Sequence, residues 1–215
     1  MLVFCSIIYL MNDPKRATLQ KTPFFRGVLA MNQEQFWQLI SDMNGKDETS
    51  EWLVAQLAVK SADEIADYEM HLQTALQQSY TSSLWAAAYI ILGGCSDDSF
   101  DYFRGWLISC GKETFESALQ NPENLANLIP AFYEEKELIP EFEEMLSTGF
   151  EAFSLKETGD TEWDNEIWEK FSSLLDEKGY ESFEQDIEFD WEEDEDELAE
   201  RFPKLWERFG ENPLG

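Results

Sequence analysis

The sequence predicts an all-α fold: a compact multi-helix domain with an acidic, aromatic C-terminal extension packed on it. Three observations predict it. Apolar residues recur at three- and four-residue spacing from Phe36 onward. Helix-start and helix-stop residues bracket the runs, as Ser61-Ala-Asp-Glu64 and Gly93-Gly94 do. No segment before residue 180 alternates with a period of two. With 43% hydrophobic and 14% aromatic residues, the 215-residue chain can bury a substantial core. One domain is the default at this length, and two small ones are possible.

Residues 31–155 read as the helical core. Phe36, Trp37, Leu39, Ile40 and Met43 give a first helix one apolar face. Gly45 and Lys46 interrupt the period, and Trp52, Leu53, Gln56 and Leu57 resume it. Ser61 is the expected N-cap of the next helix, with Glu64 at N3 closing a capping box. That helix passes through Ile65, Tyr68, Met70 and Leu72 to about Tyr80. Residues 83–92 are apolar nearly all round, the pattern of a buried central helix, and Gly93-Gly94 stops it. Ser96 caps a further helix whose first turn holds Asp97 and Asp98, where the macrodipole favours acids. Its apolar face is Phe100, Phe103, Trp106, Leu107 and Cys110, and Gly111 ends it. Shorter helices are expected over 114–120 and, with Pro122 at N1, over 123–131. Pro140 opens another, with Phe142, Met145 and Leu146 turned inward.

The acidic C-terminal segment, 156–215, changes character. From Glu134 to the end there are 29 acids against 7 bases; the preceding 133 residues hold 16 against 8. Asp186-Ile-Glu-Phe-Asp-Trp-Glu192 alternates acids with large apolar residues, so an extended chain sets Ile187, Phe189 and Trp191 on one face. The expectation is that these three bury against the helices while 192–197, all acids, stay solvated. Leu198, Phe202, Leu205, Trp206 and Phe209 then return to helical spacing, with Pro203 an early obstacle.

Residues 1–30 form an N-terminal extension of different composition. An apolar run ending at Met11 is followed by Lys15, Arg16, Lys21 and Arg26. The run is too short to span a bilayer, and its charges lie on the wrong side for a signal peptide. Met31-Asn-Gln-Glu-Gln-Phe-Trp37 reads as a natural protein start leading into a helix, so Met31 is the expected true start.

Around Leu84-Trp-Ala-Ala-Ala-Tyr89 and Gly93-Gly-Cys-Ser-Asp-Asp-Ser-Phe-Asp-Tyr-Phe-Arg-Gly-Trp-Leu107 the sequence resembles the bacterial proteins grouped as domain of unknown function 4240. The opening at Met31 and the closing Arg201-Phe-Pro-Lys-Leu-Trp206 share the resemblance, which spans about 31–209. It implies no activity, cofactor or catalytic residue.

Charge bounds the function. The formal net charge is −30, which excludes a nucleic-acid-binding module that must neutralise phosphates with clustered Lys and Arg. Three cysteines and one histidine, His71, make neither a disulfide framework nor a histidine-rich metal site. The expectation is a cytoplasmic protein with no cofactor and no membrane anchor. A calcium loop beginning at Asp186 fails at its sixth position, where glycine is required and Trp191 stands.

The densest polar cluster is Asp97, Asp98, Asp101 and Arg104, with Trp85, Tyr89, Cys95, Tyr102 and Trp106 as candidate pocket lining. Cys95 sits before a helix N-terminus, where a thiolate is stabilised, but lacks a neighbouring base in sequence. The cluster reads either as caps and an i,i+3 ion pair or as carboxylates and a guanidinium offered to a ligand. Two functions follow: a protein-interaction module of regulatory or immunity type with a basic protein partner, or an enzyme or small-ligand binder using this cluster.

Overall fold

Asn32 opens the first helix by a reciprocal cap: its side chain accepts the Gln35 N–H, and Gln35 Oε1 accepts the Asn32 N–H. The structure is a computed structural model that describes residues 30–46, 49–181 and 187–215. The extension at 1–29 and the alternating segment's first residue, Asp186, lie outside the described residues.

Helix α1 (Gln33–Met43) buries Phe36, Trp37, Ile40 and Met43, while Leu39 is half-buried. Helix α2 (Thr49–Ala58) buries Leu53, Val54 and Leu57. Helix α3 (Ala62–Ser79) starts at the Ser61–Glu64 capping box that its sequence announces. Helix α4 (Ser82–Leu92) buries eight of its eleven residues and stops at Gly93, whose φ of +70° suits a residue without Cβ. Helix α5 (Asp97–Ser109) is capped by Ser96. Among the described residues there is no strand.

Beyond α5 the outcome differs in detail from the periodicity. Helix α6 (Lys112–Gln120) begins two residues earlier than expected. A 3-10 turn, Pro122–Asn124, leads into α7 (Leu125–Leu128), which ends short because Ile129 precedes Pro130 and turns extended. Helix α8 (Phe132–Glu135) and the long α10 (Asn165–Glu177) were not expected. Pro140 opens no helix directly. A 3-10 turn at Glu143–Leu146 comes first, then α9 (Thr148–Thr158); of the three side chains expected inward, Met145 is buried while Phe142 and Leu146 are half-buried.

Helix α9 lies across α2 and α3 and is backed by α10, so these elements straddle residue 155 without a gap. Helix α5 packs on α3, α4 and the 143–146 turn. The chain's end returns to α4: Leu214 N–H donates to the Ile91 carbonyl at 2.7 Å, and Pro213 occupies the space a Cβ on Gly93 would need.

Helix α11 (Glu195–Arg201) starts inside the acidic run. Asp194 caps it by accepting the Glu197 N–H, and the next three acids sit in its first turn, where the macrodipole offsets their repulsion. Pro203 breaks the helix at Phe202 and opens α12 (Pro203–Leu205), which runs on into a π-turn at Trp206–Gly210. The buried carboxylate of Glu123 accepts the Lys204 and Leu205 N–H groups left open there. Leu205 and Phe209 are fully buried and Trp206 half-buried.

The alternating segment docks less deeply than its pattern suggests. Ile187 and Trp191 are half-buried, and Phe189 is 51% exposed. The observed contacts explain this: Phe189 meets α4 edge-on at Trp85, and Trp191 meets it at Tyr89.

Candidate functional site

The turn between α4 and α5 holds the polar cluster, and the structure separates its members. Asp97 and Asp98 are exposed in the first turn of α5. Asp101 and Arg104, one turn apart, form an ion pair through Arg104 Nη2. Arg104 Nη1 donates to the Leu76 carbonyl at 2.6 Å, and the guanidinium lies against the rings of Tyr80 and Phe100, 4.8 and 5.1 Å from their centres. Only its Nε has no hydrogen-bond partner. Burial raises the Asp101 carboxyl, against the opposing pull of Arg104. Arg104 thus joins α5 to α3.

The aromatic candidates face two other directions. Trp85 donates Nε1–H to the Cys95 carbonyl, stacks on Phe100 at 4.4 Å and meets Phe189. Tyr89 donates to Glu193 in the acidic run. Tyr102 donates to Glu143, and Trp106 donates to Tyr133 Oη at 2.7 Å, both toward the 133–143 segment. Trp85 and Arg104 share the rings of Tyr80 and Phe100, Tyr102 and Trp106 turn to the 133–143 segment, and Asp97 and Asp98 stay at the surface. Cys95 is pushed up to about 12, first by burial and then by Asp101 and Asp97, and its Sγ faces the Ser96 carbonyl. Burial and the two neighbouring carboxylates all oppose formation of the thiolate that nucleophilic chemistry needs.

An open surface pocket of about 230 Å³ lies between α1 and the start of α3, lined by Leu39, Asp42, Lys60 and Glu64 among others, and by none of these candidates. Among the described residues no group of three or more His, Cys, Asp or Glu side chains is placed to hold a metal ion.

The most distinctive surface feature is one the periodicity missed. Between Pro130 and Pro140 the chain makes α8 and turns back, with Glu137 in the left-handed region at φ +53°. Phe132, Leu138 and Ile139 stand 42%, 39% and 44% exposed there, beside exposed Glu134, Glu135, Glu137 and Glu141. The turn's root is fixed. Arg208 grips Glu134 with Nε and Nη2, and its Nη1 donates to the Ala126 and Ile129 carbonyls. The sequence signal was an apolar set, Phe132, Leu138 and Ile139, that fits no single helical face.

A model of the family described as "Protein of unknown function (DUF4240)" matches residues 31–154, more than half of the chain. The chain belongs to that family. The DUF4240 match covers α1 to α8 and most of α9, including the α4–α5 turn, and stops short of Arg201–Trp206, to which the sequence resemblance extends. No curated protein and no solved structure matches this DUF4240 chain.

Proposed function

We propose that this DUF4240 protein is a protein-interaction module, of regulatory or immunity type, that receives a basic protein partner at the 132–139 turn. The observation that carries the reading is the juxtaposition there of three exposed apolar side chains with the exposed carboxylates of Glu135, Glu137 and Glu141, beside Glu134, which Arg208 holds. Exposed apolar groups in a cluster mark contact surfaces, and the acids around them select for cations at the partner's rim. The field of a chain with 45 acids and 15 bases speeds the approach of such a partner. Three arginines of the described residues, Arg104, Arg201 and Arg208, are each paired with a carboxylate of the same chain, so they do little to offset that field. Among the described residues no helix is long and apolar enough to cross a membrane.

The test is capture of partners from the native host at low and moderate salt, followed by titration of the purified partner. The expected partner is basic, binds more weakly as salt rises, and loses at least about tenfold in affinity to a Phe132→Ser/Ile139→Ser protein with unchanged melting, a loss of about 1.4 kcal/mol. An acidic partner, or binding indifferent to both salt and the double substitution, overturns the reading.

A further inference from the structure

Eight of the nine residues 131–139 are exposed, so the turn proposed above as a contact surface stands out from the domain. Tyr133 is the exception. It is half-buried, and its Oη accepts Trp106 Nε1–H at 2.7 Å from α5. Its ring also lies 4.8 Å from that of Phe132, which it helps to aim. The Leu138 N–H donates to the Tyr133 carbonyl at 2.9 Å, which sets the chain leaving at Leu138 and Ile139 beside the chain entering at Phe132. Residues from both arms of the turn thus form one apolar cluster. Within the turn, the Glu135 and Lys136 N–H groups donate to the Ala131 and Phe132 carbonyls, and at its far end Pro140 is buried.

A second hold comes from the other end of the chain. Arg208, in the 206–210 π-turn, donates from Nη1 to the Ala126 and Ile129 carbonyls at 2.7 and 2.8 Å. From Nε and Nη2 it donates to Glu134 at 2.7 and 2.6 Å. One guanidinium therefore joins the chain before Pro130 to α8 beyond it. Its Cζ lies 4.7 Å from the ring of Phe209, which is fully buried, so the clamp is seated on the core. A segment this exposed buries too little to hold one conformation by itself, and Glu137 in the left-handed region adds a cost. We propose that Tyr133 and Arg208 are positioning residues for the partner-binding turn, holding it in the shape the partner meets. The partner then contacts an apolar cluster already ordered, with Glu135, Glu137 and Glu141 around it, and no ordering of the turn opposes binding. Release of either hold weakens the site without altering a residue that faces the partner.

The inference rests on the proposed function of this surface, and its test separates the two. Hydrogen exchange is measured on the full chain beside a free peptide of residues 130–141. In the folded protein the amides of 133–138 exchange at least about tenfold more slowly than in the peptide, and Arg208→Gln removes most of that protection. Arg208→Lys keeps the cation but reaches fewer acceptors, and falls between. Tyr133→Phe changes no charge and speeds the same amides at least about threefold, the effect of one lost hydrogen bond. Amides of α3 and α4 keep their wild-type rates in all three. Binding is read with a β-cyclodextrin bearing ammonium groups on its rim, a host that encloses an exposed apolar side chain and sets cations around it. Wild type binds this host at least about tenfold more tightly than unmodified β-cyclodextrin, and Phe132→Ser removes the preference. In Tyr133→Phe the preference falls at least about threefold. Peptide-like exchange in the wild-type turn, or exchange unchanged by both Arg208→Gln and Tyr133→Phe, overturns the positioning roles and leaves the surface as proposed. Faster exchange in Tyr133→Phe with an unaltered preference overturns them as well. A wild-type protein with no preference for the cationic host overturns both the positioning roles and the surface.

Discussion

Gly149 lies directly against the carboxyl group of Glu69. A Cβ at position 149 would overlap Glu69 Oε2 and touch the Glu69 Cβ, so α9 reaches α3 this closely only because residue 149 has no side chain. Gly149→Ala is expected to lower stability by about 1–3 kcal/mol through overpacking. Glu69→Ala removes the obstructing carboxyl, so the double variant loses less than the sum of the single losses. Urea unfolding of the four proteins checks this, and strict additivity would show that the two residues do not meet.

The same carboxyl gives the fold a pH dependence. Glu69 is 3% exposed, and its Oε1 accepts one hydrogen bond, from Gln73 Nε2 at 2.8 Å. Burial raises it from 4.5 to about 7, the Gln73 bond opposing weakly. Between those two pH values the folded state keeps a proton that the unfolded chain has released. The stability it contributes is complete below about pH 4.5 and is lost as pH rises through about 7. Glu69→Gln mimics the protonated group at every pH. Wild type and variant are expected to match near pH 4, with the variant ahead above pH 7 by on the order of 3 kcal/mol, at about 1.4 kcal/mol per pKa unit. A stability difference that stays constant from pH 4 to 8 contradicts the assignment.

Arg104→Ala is expected to destabilise by about 3–5 kcal/mol, the usual result of removing one partner from a buried ion pair. Three further losses accompany the broken pair: the bond to the Leu76 carbonyl and the contacts with Tyr80 and Phe100. Asp97→Ala and Asp98→Ala, at exposed positions in the first turn of α5, are expected to change stability by about 1 kcal/mol or less. Thermal melting of the three variants separates the cases. A fully stable Arg104→Ala protein would return the cluster to the ligand-binding reading.

How much of this was legible depends on what each residue answers to. The caps at Ser61 and Ser96, the stop at Gly93 and the burial of residues 84–88 are local or strongly periodic, and the sequence states them outright. Helix α10 carried the same kind of signal in Ile167, Phe171 and Leu175, one face of three turns. The surrounding acids hid it, because high charge reads as a solvated tail when composition is weighed over a wide window. The polar cluster was legible as a list and not as an arrangement. Whether Arg104 faces a pocket or Tyr80 is decided by the packing of α5 on α3, a long-range fact. The 132–139 turn hinges on Glu137 in a left-handed conformation, which a glutamate gives no reason to expect.

Arg201 is the fastening of the acidic segment, and its removal should release that segment alone. Its Nη1 donates to the Asp190 carbonyl at 2.9 Å, and Nη2 meets Asp190 Oδ2 at 2.8 Å and Ser83 Oγ at 3.2 Å. Asp190 also binds Ser82 through its side chain and its N–H, so one guanidinium and one hydroxyl tie residues 187–191 to the start of α4. What remains without Arg201 is shallow: the exposed Ser82–Asp190 bonds, a half-exposed Phe189, and Trp191 held by the Tyr89 ring and by its Nε1–H on the Ser82 carbonyl. The nine acids within residues 186–197 repel one another and favour detachment once the cation is gone. In Arg201→Ala the amides of 187–191 are expected to exchange with solvent at least about tenfold faster, the effect of about 1.4 kcal/mol of lost local protection. Amides of α3, α4 and α5 keep their wild-type rates, because their core contacts do not involve Arg201. Hydrogen exchange read segment by segment checks both halves: unchanged exchange at 187–191 would mean that the Ser82 bonds and aromatic contacts hold the segment without Arg201, and faster exchange throughout α4 would mean that it is integral to the core.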